Sequence, residues 1–347
     1  MTSPTYDLET LTKQFEQEVI IRPAVMDDAQ KASDLFNASN HHFGDDGNES
    51  AELIRSEWGE VDYDLGASSL AFFTKDEQQM VAFQEVIDYS TVPVRPRFLG
   101  HVHPDYLGRG IGTYLLNWAE TLAQRVFDRV PNDARVVFTL GRDSRNPYNH
   151  DLFVAHDYLP TGQAWQKMLI ELTDDTPQDP PALEGLRWVT MTEINDTRKA
   201  YAAHRDAFHD HRGFIAEDFE VMYKRWSGYM LDEKTYDPSL WFMLMDGDTI
   251  AGYSYNLLEN DTHPDEGYVG QLGVLPAYRQ RGVGNAVLLK AFHELWKRGK
   301  RKVSLYVDGS SLTGANRLYT GAGMQVKESY ASYEKEMRAG VEYSKQD

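Results

Sequence analysis

Short apolar runs divided by polar turns occupy the second half of the chain, a pattern typical of a β-sheet. Leu240–Met245 and Ile250–Leu258 are separated by Asp246-Gly247-Asp248, which predicts a β-hairpin. Tyr268–Val274 is a third run. We expect it to end near Pro276, because a proline has no backbone N–H to donate to a neighbouring strand. The pattern therefore predicts three consecutive strands.

Helical spacing begins soon after the third strand. Val287, Leu288, Ala291 and Leu295 fall on one face of a helix, so a helix starting near Val283 is expected to pack on the sheet. The same reasoning predicts the other elements of this half: a first strand Arg187–Val189, a helix Ile194–Phe208, a strand Lys302–Val307, a short helix Ala315–Thr320 and a last strand from Met324.

The first half of the chain repeats this order. Val102–Gly112 matches Val274–Gly284, which lies 172 positions later, and Leu152–Tyr158 matches Leu318–Met324. Apolar runs predict the corresponding elements: strands Leu70–Thr74, Val81–Asp88, Phe98–Val102, Val136–Leu140 and Lys167–Leu172, with a helix from Gly112.

Two copies of one mixed α/β unit follow from the repeat. We place them at residues 18–172 and 184–336, each close to a common domain size. Residues 173–183 between them are acidic and proline-rich, as linkers often are. Residues 1–17 are then an N-terminal extension and residues 337–347 a tail.

A glycine loop joins the third strand of the second copy to the following helix. It reads Arg279-Gln280-Arg281-Gly282-Val283-Gly284. The first amide N–H groups of a helix have no intrahelical acceptor, and glycines allow an anion to approach them closely. Because the strand, the loop, the arginines and the amphipathic helix occur together, we interpret the loop as a phosphate-binding site. The plainer alternative is a turn that only packs a helix onto a sheet.

Charge and composition narrow the class of protein. The chain has 347 residues, with 35 Lys and Arg against 54 Asp and Glu, a formal charge of −19. Such acidity argues against a nucleic-acid or anionic-membrane binder and suits a cationic or neutral small molecule. The chain has no cysteine, which excludes disulfides, thiolate metal sites and cysteine nucleophiles, and we expect no metal. No membrane span or signal-peptide core is evident, which favours a cytoplasmic protein.

These motifs resemble the GNAT superfamily of acyl-CoA-dependent N-acetyltransferases, as a tandem pair covering nearly the whole chain. The family signature is a Gln/Arg-x-x-Gly-x-Gly/Ala loop that holds the coenzyme A pyrophosphate, and the second loop matches it in full. The resemblance implies a mixed, V-splayed sheet with acetyl-CoA between two diverging strands and backbone partners in Leu272, Gly273 and Val274. The cofactor-binding residues that it implies in the loop are Arg279, Gln280, Arg281, Gly282, Val283, Gly284 and Asn285.

The resemblance also implies an acid for the leaving thiolate. Relatives carry a tyrosine within an Ala-x-x-Leu-Tyr-x-x-x-Gly pattern, which Ala315–Gly323 matches, so Tyr319 is the candidate catalytic donor. The alternative is that Tyr319 merely packs its helix on the sheet. An amine with a free pKa near ~10.4 must also lose a proton before it attacks.

The candidate base is Glu266, at the start of the strand that leads to the loop. Glu259, His263 and Asp265 are rivals in the same stretch, and each of the four could instead be a solvated surface residue. His204, His209 and His211 cluster in the region that covers the acceptor in relatives, but their spacing gives little support to a metal site.

The first copy departs from the family pattern at two positions. Leu107 stands where the loop expects Gln or Arg, and Phe153 stands where the second copy has Tyr319. Its backbone could still form a second cofactor site, with the candidates Val102, Gly108, Arg109, Gly110, Ile111 and Gly112. We interpret this copy as a structural or cofactor-holding domain. The alternative is that both copies are active with different acids.

The sequence therefore predicts an enzyme that moves the acetyl group of acetyl-CoA to a primary amine of a small molecule. Without a cysteine to carry a thioester, direct attack in a ternary complex is expected. The rival function is an acyl-CoA-binding sensor or scaffold without turnover. The identity of the acceptor, the acyl chain length and the oligomeric state stay open.

Overall fold

The computed structural model describes residues 12–13, 15–211, 214–232, 234–309 and 314–344, and the chain forms two compact units. Unit 1 contains the chain as far as Gln163 together with Tyr330–Tyr343. Unit 2 contains Ala164–Ser329 together with the chain from Ser344 onward. Each unit contains six described β-strands in a mixed arrangement, with helices packed on them.

In unit 1 the described strands lie in the order β1-β2-β3-β4-β5-β12. Strands β4 and β5 are parallel, and the other neighbouring pairs in this order are antiparallel. The elements are β1 Val19–Arg22, α1 Ala29–His42, α2 Ala51–Trp58, α3 Leu65–Ser68, β2 Ser69–Thr74, β3 Met80–Ile87, β4 Arg97–Val102, α4 Ile111–Ala123, β5 Val136–Asp143, α5 Pro147–Ala155, the start of β6 Leu159–Glu171 and the later part of β12 Gln325–Arg338.

Unit 2 has the same plan, with its described strands in the order β6-β11-β10-β9-β8-β7. Strands β10 and β11 are parallel, and the other pairs are antiparallel. After the shared β6 its elements are β7 Arg187–Thr190, α6 Met191–Ile194, α7 Thr197–Phe208, α8 Phe219–Met230, β8 Trp241–Asp246, β9 Thr249–Leu257, β10 Glu266–Val274, α9 Val283–Lys297, β11 Lys302–Asp308 and α10 Ala315–Gly321.

The parallel strands of unit 2 pair at one end only. Glu266 lies opposite Lys302 and Tyr268 opposite Ser304, and the register ends there. Strand β10 continues to Val274, paired on its other side with β9. Among the described strands, the edge of β10 that faces β11 is therefore unpaired beyond Tyr268, which confirms the mixed, V-splayed sheet that the resemblance implied. In unit 1 the parallel pairing of β4 and β5 is equally short.

The sixth strand of each sheet comes from the other repeat of the sequence. Within unit 2, Trp165–Glu171 of β6 pairs with β11. Within unit 1, Tyr330–Arg338 of β12 pairs with β5. The compact units thus differ from the sequence-based ranges 18–172 and 184–336 at these two strands.

Helices cover both faces of the unit 2 sheet. On one face α9 and α10 pack on β10 and β11, with Leu288, Ala291 and Leu295 of the predicted stripe completely buried. On the other face α7 and α8 pack on β8 and β9 through an aromatic cluster that includes Tyr201, Trp226 and Trp241. The open edge of β10 lies between these two layers.

One predicted helix of unit 2 differs from its expected bounds. The helix expected over Ile194–Phe208 is divided at Asn195, which has a positive φ of 48°. The Asp196 side chain then accepts a hydrogen bond from the Lys199 N–H and begins α7 anew. Among the described residues, no helix has both the length and the apolar character needed to span a bilayer.

Candidate active site

The glycine loop of unit 2 has the left-handed backbone that its glycines permit. Gln280 has a φ of 60° and Gly282 a φ of 80°, and α9 begins at Val283 directly after them. A side chain at a positive φ is strained, so the loop depends on the glycine at position 282. The loop thus turns the chain sharply from the end of β10 into the helix.

The N-terminus of α9 keeps its amide groups open. No side chain caps it, whereas Asp196 and Asp218 cap the first turns of α7 and α8. The Ala286 N–H already reaches the carbonyl of Gly282. The amides of the three residues before it, from Val283, have no acceptor inside the helix. This is the arrangement that binds phosphate groups at helix N-termini.

Close packing explains the second glycine of the loop. A Cβ placed on Gly284 would lie 3.2 Å from Leu318 Cδ2, so a larger residue would push α10 away. On the sheet side, Gly252 of β9 makes room for Val283, whose Cγ1 would lie 2.4 Å from a Cβ there. The helix start is therefore held between α10 and the sheet.

The two loop arginines have different surroundings. The Arg279 guanidinium donates hydrogen bonds to Asp210 Oδ1 and to the carbonyl of Ala207, each at 2.9 Å, and so ties the loop to the end of α7. The hydrogen bond from Arg279 lowers the pKa of Asp210 to about 2. Arg281 is exposed, and its guanidinium carbon lies 5.4 Å from the centre of the Tyr278 ring.

The first loop has nearly the same backbone as the second. Gly108 and Gly110 have φ angles of 73° and 83°, at the positions of Gln280 and Gly282. Leu107 has a φ of −63° and a ψ of 153°, against −64° and 155° for Arg279. Helix α4 also begins without a side-chain cap. The loop shape is thus kept in unit 1 although the Arg is lost.

Tyr319 lies on α10, which packs on the strands of unit 2. It is only 7% exposed and belongs to the apolar cluster that contains Leu305 and Val307 of β11 and touches Leu272 of β10. Burial raises the pKa of Tyr319 to about 12, so the phenol keeps its proton at neutral pH. In unit 1 the matching Phe153 is 6% exposed and contacts the rings of Tyr158 and Tyr333.

The four candidate bases separate into two pairs. Glu259 and Asp265 are exposed and form ion pairs with Lys300 and Lys302. Glu266 and His263 instead converge on Lys167 of β6, a residue that the sequence analysis did not single out.

Lys167 is completely buried. Its Nζ lies 3.0 Å from His263 Nδ1, 3.2 Å from Glu266 Oε2 and 3.9 Å from Glu328 Oε1. Lys167 and its neighbour Met168 are both buried, so the strand has no clear alternation that would have identified an inward lysine. The repeat also assigned this strand to the first domain, away from its partners.

On the opposite side of β10, His204 approaches the strand through Tyr253. His204 Nδ1 lies 3.0 Å from the Tyr253 hydroxyl, which packs on the backbone of Gly273: a Cβ there would lie 2.3 Å from the hydroxyl oxygen. Burial lowers the pKa of His204 to about 4. His209 is exposed and bonds the carbonyl of Asp206, so His204 and His209 have separate surroundings.

Comparison with known proteins agrees with this geometry. The profile of the acetyltransferase (GNAT) family matches residues 198–324. The crystal structure of a GCN5-related N-acetyltransferase from Sphaerobacter thermophilus is 31% identical with a TM-score of 0.77, over 93% of this chain and 97% of that chain. A mycothiol acetyltransferase from Thermobispora bispora is 28% identical over 267 residues, which are 74% of this chain and 80% of that protein.

A further structure shares the fold. A tandem GNAT protein from the clavulanic acid biosynthesis pathway has a TM-score of 0.69 at 13% identity, over 93% of this chain and 100% of that chain. The full-length match to the Sphaerobacter protein, together with the splayed sheet and the glycine loop, establishes the family. The chain belongs to the GCN5-related N-acetyltransferase (GNAT) family and is an acetyl-CoA-dependent N-acetyltransferase.

Proposed function

We propose that unit 2 transfers the acetyl group of acetyl-CoA to a primary amine of a small molecule by direct attack in a ternary complex. One observation carries this proposal: the open amides of α9, the gap between β10 and β11, and Tyr319 belong to the same unit. A donor group at the point where two strands diverge suits the cleavage of a thioester that lies between them.

Acetyl-CoA would be held mainly by backbone groups. Its pyrophosphate would bind at the N-terminus of α9, from Gly282 to Asn285, and its pantetheine arm would lie along Leu272, Gly273 and Val274 at the open edge of β10. Because Arg279 is already bonded to Asp210 and Ala207, we assign it the task of fixing the loop, and we assign the exposed Arg281 to the phosphates.

Tyr319 would assist departure of the thiolate. As the C–N bond forms and the C–S bond breaks, negative charge develops on sulfur, and a protonated phenol can donate a hydrogen bond to it. A thiol has a free pKa near ~8.5, well below the raised pKa of Tyr319. Hydrogen bonding to the thiolate is therefore the role we assign, with the thiolate taking its final proton from solvent.

Glu266 is the general base in this proposal. The ammonium group of the acceptor transfers one proton to the carboxylate, directly or through water, and the neutral amine then attacks the acetyl carbon. After the C–N bond has formed, the nitrogen gives its second proton to solvent, and Glu266 releases the first proton to solvent before the next turnover. Of the four candidates from the sequence, only Glu266 is a buried carboxylate, and its Oε2 accepts no hydrogen bond from a described residue.

The acceptor that we propose to test first is the amine precursor of mycothiol, since related proteins carry the name mycothiol acetyltransferase. For unit 1 we propose a structural or cofactor-holding role. Two observations support it: its loop keeps the backbone of the second loop, and Phe153 offers no hydroxyl to a thiolate.

Replacement of Tyr319 by Phe tests the role of the phenol. We expect the kcat for amine-dependent thiol release to fall about 10²-fold, because one donor to the developing charge is lost. The KM for acetyl-CoA should change little, and the protein should stay folded, since Phe153 is tolerated at the matching position. Steady-state thiol release with a panel of amines measures both constants.

Phe153→Tyr is the matched control and should leave kcat unchanged. A Tyr319→Phe enzyme with the parent's kcat would remove Tyr319 from the mechanism. If Phe153→Tyr raised kcat substantially, unit 1 would also be a catalyst.

A further inference from the structure

The buried Lys167 is the feature from which a further role follows. It lies on β6 opposite Tyr306 of β11, within unit 2. Its ammonium group is within 4 Å of two buried carboxylates, Glu266 and Glu328. An ammonium ion in such a place is tolerated only when it is paired, because the loss of hydration is otherwise too costly.

The charged groups around Glu266 come from several elements. Lys167 approaches it from β6, Lys302 lies opposite it on β11, Glu328 belongs to β12, and His263 lies in the turn before β10. Lys302 Nζ instead lies 2.9 Å from Oδ2 of the exposed Asp265. Lys167 is therefore the buried cation that Glu266 shares with Glu328.

The geometry at the carboxylate leaves one oxygen available. Lys167 Nζ donates to Glu266 Oε1 at 3.3 Å. Oε2 lies 3.2 Å from the same nitrogen but accepts no hydrogen bond from a described residue. The cation can thus stabilise the ionised carboxylate while a lone pair on Oε2 stays free to accept a proton.

We propose that Lys167 is a positioning residue whose positive charge holds the Glu266 carboxylate in the orientation needed for acid–base catalysis. This inference rests on the proposed function, in which Glu266 is the base. It means that a side chain from the first repeat of the sequence completes the catalytic machinery of unit 2. Lys167 itself touches neither acetyl-CoA nor the acceptor in this proposal.

Replacement of Lys167 by Met in the full-length chain tests the inference through the pH dependence of kcat. Without the cation, the buried carboxylate takes up a proton more readily. The acid limb of the kcat profile should then move to higher pH by about one unit or more. At neutral pH, kcat should fall about tenfold and recover as the pH rises. Lys167→Arg, which keeps the charge, should stay closer to the parent.

Lys335→Met is the matched control. Lys335 on β12 forms an ion pair with Glu120 in unit 1, so its loss removes a Lys–Glu pair without touching Glu266. The acid limb should not move in this variant. If Lys167→Met does not fold, the double variant Lys167→Met with Glu328→Gln removes one charge of each sign. Its acid limb should move in the same direction by a smaller amount, because loss of the Glu328 charge partly offsets loss of the cation.

Two results contradict different parts of the argument. A Lys167→Met enzyme with a lower Tm but an unmoved acid limb would make Lys167 purely structural and overturn this inference. A Glu266→Gln enzyme with the parent's kcat would overturn the base in the proposed function. A lower kcat in Glu266→Gln supports Glu266 as the base. An acid limb at higher pH in Lys167→Met, seen together with it, also supports the positioning role of Lys167.

Discussion

At the scale of single residues, the two glycine loops differ in the residue that occupies one left-handed position. Gly108 and Gln280 occupy matching positions with φ angles of 73° and 60°. Only the second carries a side chain in this left-handed region, where a Cβ crowds the following carbonyl oxygen. The loop of unit 2 therefore carries strain that the loop of unit 1 avoids.

Exchange of these two residues should change stability in opposite directions. Gln280→Gly relieves the crowding and should stabilise unit 2 by about 1 kcal/mol, whereas Gly108→Gln should destabilise unit 1 by about 1 kcal/mol. Calorimetric melting of each variant beside the parent measures the difference. A lower Tm for Gln280→Gly would mean that its side chain makes a contact worth more than the strain.

At the scale of secondary-structure elements, helix α7 places a neutral histidine, His204, against the sheet. Burial lowers the pKa of His204 from about 6.5 to about 4, so the folded protein binds its proton less tightly than the unfolded chain does. His101 of unit 1 is shifted in the same direction by the same cause. Both units thus contain a buried imidazole that acid must charge.

Acid should destabilise the protein through these histidines. Above about pH 6.5 neither the folded nor the unfolded state charges His204, and its titration has no effect on stability. Between pH 6.5 and 4 only the unfolded state takes up the proton, so stability falls with falling pH, by up to about 3 kcal/mol at this site. Melting temperatures across this range, for the parent and for His204→Gln, measure the effect.

His209→Gln is the control on the same stretch of chain, since His209 is exposed. The decline in Tm toward pH 4 should be shallower in His204→Gln and unchanged in His209→Gln. Equal slopes in all three proteins would mean that His204 takes up its proton with the same pKa in the folded and unfolded states, against the lowered pKa.

At the scale of the whole molecule, most of β6 belongs to unit 2 and most of β12 to unit 1, each from the other repeat of the sequence. This arrangement determines which fragments of the chain can fold by themselves. Unit 2 needs Ala164–Glu171, which precede the linker in the sequence. Without them β11 becomes an edge strand with unpaired backbone groups, and Glu266 loses its buried cation. The second repeat by itself is therefore incomplete.

A fragment of residues 184–336 should consequently fail to fold as a stable unit. We expect aggregation or a poorly dispersed amide NMR spectrum, whereas a fragment of residues 164–344, which restores β6, should give better dispersion and cooperative melting. A fragment 184–336 that melts like the full chain would mean that β6 contributes little to unit 2.

Local signals predicted much of this architecture. Turn residues and apolar periodicity located β8, β9, β10, β11 and α9, because each depends on residues that are neighbours in the chain. The loop backbone followed from its glycines. The site residues that the resemblance implied, Tyr319 and Glu266 among them, stay predictions until the variants are measured.

Other features depend on distant residues and gave no local signal. Helix α8 is the exception: Asp218 caps it, and its core-facing residues recur at helical spacing, a local signal from which no helix was predicted. These residues are Phe219, Met222, Tyr223, Trp226 and Met230. Lys167 reads as an ordinary strand residue, since nothing near it in sequence identifies its partners Glu266 and Glu328, which lie about a hundred residues or more away. Sequence repeats also favour strands that stay with their own copy, so the exchange of β6 and β12 was not expected.

The position of Tyr330–Tyr343 in unit 1 has a consequence for biosynthesis. A ribosome delivers residues in chain order, so the β5 edge at Val136–Asp143 emerges long before the strand that pairs with it. Through most of translation this edge stays open to association with other nascent chains. The amino-terminal half of this enzyme is therefore made first but is completed last.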